Sequence, residues 1–185
     1  GLNRASLRGE NVYITNGEAD VSEADLFYGY DQDAEAWKKA PSKQNISSGN
    51  RIAYVFGTTG NVVNVDTACS SSLVGANTIH ASLRTRKVGE KQFGLSMANQ
   101  CNMSPFPYIG LSGAGMIGRI GRSLTFNTTA NGFGRGEGVG GICLKAGEGV
   151  GEAQDRLAAF VSSYVNQDGR SATITAPSGP AQQRA

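Results

Sequence analysis

The chain has 185 residues, a formal net charge of +2 and 39% hydrophobic side chains. This length suggests about one domain, and the hydrophobic content excludes a disordered chain because it is sufficient for a packed core. The charges are scattered, so the composition does not indicate a nucleic acid or an anionic membrane as partner. Since the sequence contains no run of about eighteen apolar residues, we expect no membrane span.

Strand and helix patterns alternate through the first half of the sequence, which favours an α/β class. In chain order we expect a strand at 11–15, an irregular surface helix at 21–39, a short helix at 49–56, a strand at 62–65, a helix at about 70–86 and a strand at 93–98. Ser47 or Ser48 is the expected N-cap of the short helix, and Gly57 its stop. Residues 99–136 are rich in loop signals, and strands at 139–144 and 157–165 precede a tail of turns.

The three cysteines, Cys69, Cys101 and Cys143, are widely spaced. Their spacing matches neither a metal-ligand pattern nor a secreted disulfide framework, so we expect no metal site. The polar, basic N-terminal segment has no apolar signal region, and the missing initiator Met suggests a piece of a longer protein. We therefore expect a reducing, cytoplasmic environment.

Cys69 lies where a strand pattern changes to a helix pattern. A β-branched run at 62–65 precedes it, and apolar residues from 73 to 83 recur at helical spacing. The positive end of a helix dipole favours a thiolate, which is the nucleophilic form of cysteine. Cys69 is therefore a candidate covalent catalyst, although a buried structural cysteine is the alternative. We expect Asp66 to orient the turn by accepting a backbone N–H as an Asx-type bridge.

Two further motifs are weaker candidates. His80 is the only histidine, but it lies eleven residues after Cys69, which corresponds to about 16 Å along a helix. We therefore expect a helix-face residue rather than a partner of the thiol. Two G-x-G-x-x-G matches, at 113–118 and 136–141, lack the strand-before, helix-after context of a dinucleotide site.

The run DTACSSSL at 66–73 resembles the nucleophile motif of β-ketoacyl synthases, the ketosynthase domains of polyketide and fatty acid synthases. Other segments are similar to signatures of that family in the same order, and the last two are similar to those of type I polyketide synthases. They are ISSGNRIAYVFG (46–57), LSGAGM (111–116), FNTTANGFGRGEG (126–138), VNQDGRS (165–171) and TAPSGPAQ (175–182).

The resemblance implies a thiolase-like fold with five αβαβα layers, incomplete in this chain. Residues 1–185 would be an internal fragment of one ketosynthase domain, from the later part of its first half to the start of its second. The implied activity is acyl transfer to Cys69 followed by decarboxylative Claisen condensation. The implied substrates are carried on the phosphopantetheine of an acyl carrier protein, no cofactor is bound directly, and the domain is expected to form a homodimer.

The resemblance also suggests roles for residues of the Gly-rich segment at 126–138. Phe133 would line an acyl pocket, with an ordinary core aromatic as the alternative. Glu137 is expected to pair with Arg135 or a neighbouring strand rather than to catalyse. Asn127 and Asn131 stand where the family usually has Asp. We expect Cys101 and Cys143 to be structural, with Cys143 buried.

The family's two catalytic histidines, one in an H-G-T-G-T motif, are absent from this sequence. The chain alone is therefore expected to be inactive. Two other classes stay open: a cysteine hydrolase, which would need a histidine close to Cys69, and a non-catalytic interaction domain with a thiolase fold.

Overall fold

The computed structural model describes residues 4–19, 48–85, 93–102, 105–147 and 156–185. The expected helix at 21–39 lies outside these ranges. The elements in chain order are α1 (Arg4–Leu7), β1 (Val12–Ala19), α2 (Ser48–Phe56), β2 (Val62–Val65), a 3-10 turn (Ala68–Ser70), α3 (Ser71–Arg84), β3 (Phe93–Gln100), α4 (Phe106–Gly113), β4 (Gly138–Lys145) and α5 (Gly179–Gln183).

The described strands form one mixed sheet in the order β2-β1-β3-β4. Strand β1 is parallel to both β2 and β3, and Ile14 is in register with Val62 on one side and Leu95 on the other. Strand β4 is antiparallel to β3, with Cys143 opposite Leu95. Helix α3 connects the parallel strands β2 and β3, which lie on either side of β1, so the predicted α/β class is confirmed.

The core lies between α3 and the two central strands. Ile79 and Leu83 of α3 are buried, as are Val12 and Ile14 of β1. A Cβ on Gly94 of β3 would overlap the Ile79 side chain. The absence of a side chain at Gly94 therefore lets Ile79 pack directly on the backbone of β3.

Small residues bring the start of α3 close to the sheet. A Cβ on Gly17 would lie 2.9 Å from Cβ of Ser71, and a Cβ on Gly75 would lie 2.7 Å from Oγ1 of Thr15. The Thr15 hydroxyl in turn donates to Oγ of Ser96 at 3.2 Å. Ser71, two residues after Cys69, is buried in this close packing.

Most predicted elements are present, and their ends follow local signals. Helix α2 ends at Phe56, and Gly57 follows with φ of 69°, the left-handed conformation that glycine favours at a helix end. The N–H of Gly57 donates to the Ala53 carbonyl at 2.8 Å. The strands extend beyond the predicted ranges, except β2, which matches its range.

Two expectations for the second half are wrong. Residues 106–113 form a helix where we expected loop, because Pro105 and Pro107 fall at its cap and first turn, where proline is tolerated. Residues 157–165 form no strand, and no described strand pairs with them. An apolar segment becomes a strand only when an edge is available for pairing, and this segment contacts α3 through side chains instead.

No helix within the described residues is long and apolar enough to cross a membrane.

Candidate active site

Cys69 is an exposed residue in the short 3-10 turn between β2 and α3. The predicted strand-to-helix position is therefore confirmed, with one 3-10 turn inserted before the α-helix. Ser70 occupies the N-cap position of α3, but its side chain makes no cap hydrogen bond to the first helical turn. The positive end of the α3 dipole thus lies at the Cys69 turn without a side-chain cap.

The residue before the cysteine has an unusual backbone conformation. Ala68 has φ of 54°, in the left-handed region that costs a residue with a Cβ about 1–2 kcal/mol. Asp66 Oδ1 accepts a hydrogen bond from the Ala68 N–H at 3.2 Å, which confirms the predicted Asx-type bridge. Conformations of this kind persist only where surrounding contacts hold them, and they cluster at functional sites.

Hydroxyl groups hold the turn on both sides of Cys69. The Ser71 hydroxyl accepts from the Thr67 N–H at 2.9 Å and donates to the Ala68 carbonyl at 2.7 Å. The Ser70 hydroxyl donates to the Thr67 carbonyl at 2.8 Å. These hydrogen bonds of the two serines were not predicted from the sequence. Together these bonds fix the backbone that carries the thiol.

His80 is partly buried on α3, and its described contacts are with Ser163 and Phe160 rather than with Cys69. Its Nδ1 lies 2.8 Å from Oγ of Ser163, and its ring packs edge-on against Phe160, with 5.3 Å between centroids. The expected helix-face position is confirmed. A Cys-His pair on this helix is not formed, which removes the main support for a cysteine hydrolase.

Phe133 lies in a separate loop region. Its N–H donates to the Met116 carbonyl at 3.0 Å, and its carbonyl accepts from the Gly118 N–H at 2.9 Å, which gives an isolated bridge between Ile117 and Phe133. The side chain is 39% exposed in this chain. Whether Phe133 lines an acyl pocket or is a core aromatic stays a prediction. The contacts described for Phe133 do not include the Cys69 turn.

Glu137 contacts the backbone just beyond β3. Its Oε1 accepts from the Asn102 N–H at 2.7 Å, two residues after the end of β3. The expected pairing of Glu137 with Arg135 or a neighbouring strand stays a prediction. Nε of Arg135 donates to Oδ1 of the same asparagine at 3.2 Å. Asn102 was not predicted from the sequence, because no local pattern marks a residue whose partners lie more than thirty positions away.

The last two signature segments meet in space. Nδ2 of Asn166 donates to the Ala181 carbonyl at 2.6 Å, and Oδ2 of Asp168 accepts from the Ser178 N–H at 3.0 Å. Ser178 is also the N-cap of α5, where its hydroxyl accepts from the Ala181 N–H. Residues 165–171 and 175–182 therefore form the two ends of one closed loop.

The other cysteines differ from expectation in one respect. Cys101 is half-buried, whereas Cys143 is exposed on β4, so its predicted burial is wrong. The physical reason is that β4 is an outer strand of the described sheet. The surroundings of the sulfur are nevertheless partly desolvated, and this burial raises the pKa of the Cys143 thiol above its ordinary value.

Neither glycine motif has the geometry of a dinucleotide site. Residues 136–141 run into β4 rather than a helix, and 113–118 lead into a turn at Gly121. In the same region Oδ1 of Asn127 accepts from both the N–H and the hydroxyl of Thr129, at 2.9 and 2.8 Å. Within the described ranges, no three potential ligands of the His, Cys, Asp or Glu type cluster as a metal site.

Comparison with known proteins places this site in a family. The family model "Beta-ketoacyl synthase, N-terminal domain" matches residues 1–149. The chain is 40% identical over 152 residues to a phenolphthiocerol/phthiocerol polyketide synthase of Mycobacterium tuberculosis, which covers 82% of this chain and 7% of that protein. It is 34% identical over 185 residues to pikromycin polyketide synthase component PikAII of Streptomyces venezuelae, covering 100% of this chain and 5% of that protein.

Solved structures agree with this assignment. The ketosynthase from module 6 of the bacillaene synthase from Bacillus subtilis 168 superposes with a TM-score of 0.73 at 27% identity, covering 97% of this chain and 30% of that one. The chain therefore belongs to the β-ketoacyl synthase family, and its fold is the thiolase-like fold of ketosynthases. It spans less than a tenth of the curated relatives above and under a third of the solved ketosynthase.

Proposed function

We propose that this chain is part of a ketosynthase domain that extends polyketide chains by decarboxylative Claisen condensation, with Cys69 as the acyl acceptor. The observation that carries the proposal is the exposed Cys69 on a constrained strand-to-helix turn, in a chain of this family. We further propose that residues 1–185 are an internal fragment of that domain, spanning the later part of its first half and the start of its second.

In the first step, the Cys69 thiolate attacks the carbonyl of an acyl thioester on the phosphopantetheine of an acyl carrier protein. A new S–C bond forms, and the pantetheine thiolate leaves and takes up a proton. The Cys69 N–H contributes to an oxyanion hole for the tetrahedral intermediate, and such donors commonly supply about 3–4 kcal/mol. The bonds made by Asp66, Ser70 and Ser71 support this step, because they keep the turn in one conformation.

In the second step, a malonyl-type extender loses carbon dioxide when its carboxylate C–C bond breaks. The resulting enolate carbon attacks the Cys69 thioester, and the thiolate is released. The product is a β-ketoacyl chain, two carbons longer, on the carrier protein. Decarboxylation activates the extender, so the reaction requires no metal or redox cofactor.

Phe133 is proposed to line the pocket for the acyl chain. The resemblance of residues 126–138 to the glycine-rich segment of the family supports this role. The proposed partners are the acyl carrier protein and a second copy of the ketosynthase domain.

The test uses the full-length protein that carries this chain. Incubation with a radiolabelled acyl thioester should label the wild type, and Cys69→Ala should abolish the label. Cys101→Ala and Cys143→Ala are matched controls that should retain labelling within a few-fold. Labelling of Cys69→Ala at the wild-type level would contradict the proposal, and absence of label from a folded wild type would favour a non-catalytic domain.

Residues 1–185 alone should not catalyse condensation. The general acid and base groups that the family supplies from two histidines are absent from the sequence, and such groups contribute about 10²–10⁴-fold each. The assay is β-ketoacyl product formation from acyl and malonyl thioesters. Turnover equal to that of the full-length protein would overturn the proposed mechanism.

A further inference from the structure

Asn131 and Gly132 form an exposed Asn-Gly pair in the Gly-rich segment. Asparagine is a chemically labile residue, and it is most labile before glycine, because the next backbone nitrogen attacks the side-chain amide and glycine has no side chain to obstruct it. The chain contains a second Asn-Gly pair, Asn16 and Gly17. The two dipeptides are identical, so their surroundings in the structure decide which of them can react.

The pair at 131–132 has the access that this reaction needs. Both residues are exposed, and within the part of the chain that the structure describes, neither the Gly132 N–H nor the Asn131 side chain makes a hydrogen bond. The attacking nitrogen is therefore not engaged as a donor. Water can reach both the amide and the ring that the attack would form.

The fold also requires glycine after Asn131. Gly132 has φ of 141°, and a Cβ on it would lie 2.6 Å from the carbonyl oxygen of Met116. A residue with a side chain would therefore clash with the backbone of the facing segment and would adopt a conformation that is rare for it. The labile dipeptide is thus a consequence of the close approach that the bridge between Ile117 and Phe133 imposes.

The pair at 16–17 has opposite surroundings. Both residues are buried in β1, and Asn16 is only 1% exposed. Strand β1 lies between β2 and β3 and pairs with both. Attack on the Asn16 amide would therefore require the centre of the sheet to open first.

We propose that Asn131 is a site of spontaneous deamidation in the folded protein, with aspartate and isoaspartate as its products. The Gly132 nitrogen loses its proton to hydroxide and bonds to Cγ of Asn131. The Cγ–Nδ2 bond then breaks, and the nitrogen takes up a proton from water and leaves as ammonia. Water opens the resulting succinimide ring at either of its carbonyl groups. The net reaction consumes water and releases ammonia, with no change of oxidation state.

The two products affect the segment differently. Aspartate adds a negative charge and is the residue type at this position in the signature that residues 126–138 resemble. Isoaspartate adds the same charge and also lengthens the main chain by one carbon. That carbon enters directly before the bonds of Phe133 to Met116 and Gly118. The chemistry is independent of Cys69 and does not rest on the proposed function.

The experiment incubates the full-length protein that carries this chain, folded and in denaturant, and follows both Asn-Gly pairs by peptide mass spectrometry. In the folded protein, Asn131 should convert at least about tenfold faster than Asn16, because the buried pair reacts only after opening. In denaturant the two rates should agree within about threefold, because neither pair keeps its native surroundings. Conversion of Asn131 should be faster at mildly alkaline than at neutral pH, since the attacking nitrogen must lose its proton.

Two controls belong to the same segment. Asn127 is exposed but precedes Thr128, and its Oδ1 accepts from both the N–H and the hydroxyl of Thr129, so it should stay unconverted. Asn131→Gln should lose the modification at position 131, because the longer side chain would have to close a larger and less favourable ring. This variant should leave the conversion rate of Asn16 unchanged.

Equal conversion rates of Asn131 and Asn16 in the folded protein would overturn the inference. It would also be overturned if Asn131 stayed intact in the folded protein over a period in which the denatured chain converts. Aspartate without any isoaspartate would contradict the succinimide route, because ring opening at the two carbonyl groups gives both products.

Discussion

Oγ of Ser163 lies 2.8 Å from Nδ1 of His80, which joins the segment at 156–165 to helix α3. The same hydroxyl accepts from Nδ2 of Asn77 at 2.9 Å, one turn earlier on the helix. Phe160 packs edge-on against the His80 ring beside this contact. One serine therefore connects the helix that follows Cys69 to a segment more than eighty residues further along the chain.

Ser163→Ala should destabilise the ketosynthase domain of the full-length protein by about 1–2 kcal/mol, because it leaves two half-buried polar groups without their shared partner. The free energy of unfolding in denaturant measures this loss. Ser162→Ala, at the exposed neighbouring position, is the control and should change stability by less than about 0.5 kcal/mol. Equal stability of the two variants would show that the contact contributes nothing.

Asp66→Ala should slow acylation of Cys69 by about tenfold, because it removes the acceptor that holds Ala68 in its left-handed conformation and so displaces the neighbouring thiol. Asp66→Asn keeps an Oδ1 acceptor and should stay within about threefold of wild type. Single-turnover labelling with an acyl thioester gives both rates. A similar loss in both variants would assign the effect to the carboxylate charge instead of the hydrogen bond.

Gly94→Ala should destabilise the domain by about 2–3 kcal/mol, because the added methyl group overlaps the fully buried Ile79 side chain. Gly140→Ala is a matched control on the neighbouring strand β4, where an added Cβ meets no atom of the described residues within 4 Å. It should leave stability nearly unchanged. The midpoints of thermal unfolding measure the change in stability of both variants. A Gly94→Ala protein as stable as the wild type would show that α3 can move away from β3.

Cys143 should react slowly with thiol reagents despite its exposure, because burial of the sulfur raises the pKa of its thiol. The folded protein then holds the thiol proton at pH values where an unfolded chain has begun to lose it. The contribution of this thiol to the free energy of unfolding is fully present at pH values below the thiol pKa of the unfolded chain. It is lost as the pH rises through the thiol pKa of the folded protein. Alkylation rates followed by mass spectrometry from about pH 7 to 10 should show Cys143 reacting at higher pH in the folded protein than in denaturant. If alkylation of Cys143 depended on pH in the same way in the folded and the denatured protein, the expected rise in its thiol pKa would be contradicted.

Features that depend on neighbouring residues were predictable from the sequence. The strand at 62–65, the helix after Cys69 and the Asp66 bridge involve residues within one or two turns of one another, so their residue types and spacing specify them. The end of α2 at Gly57 is of the same kind. The helix at 106–113 was missed although its signals are local, because its two prolines were interpreted as loop residues when they lie at a helix start.

Features that depend on distant partners were not predictable. The apolar residues at 157–165 suggest a strand, but pairing requires a free edge, and this segment packs on α3 instead. Cys143 lies in an apolar strand, yet its exposure depends on what covers β4.

By itself, the sequence determined the α/β class, the position of Cys69 at a strand-to-helix turn and the resemblance to ketosynthases. These follow from short-range periodicity and from motifs that are contiguous in the chain. Only the tertiary structure joined Asn102 to Arg135 and Glu137, and Ser163 to His80. Such contacts form between residues that are far apart in the sequence, because the packing of the helices and loops around the sheet brings their segments together.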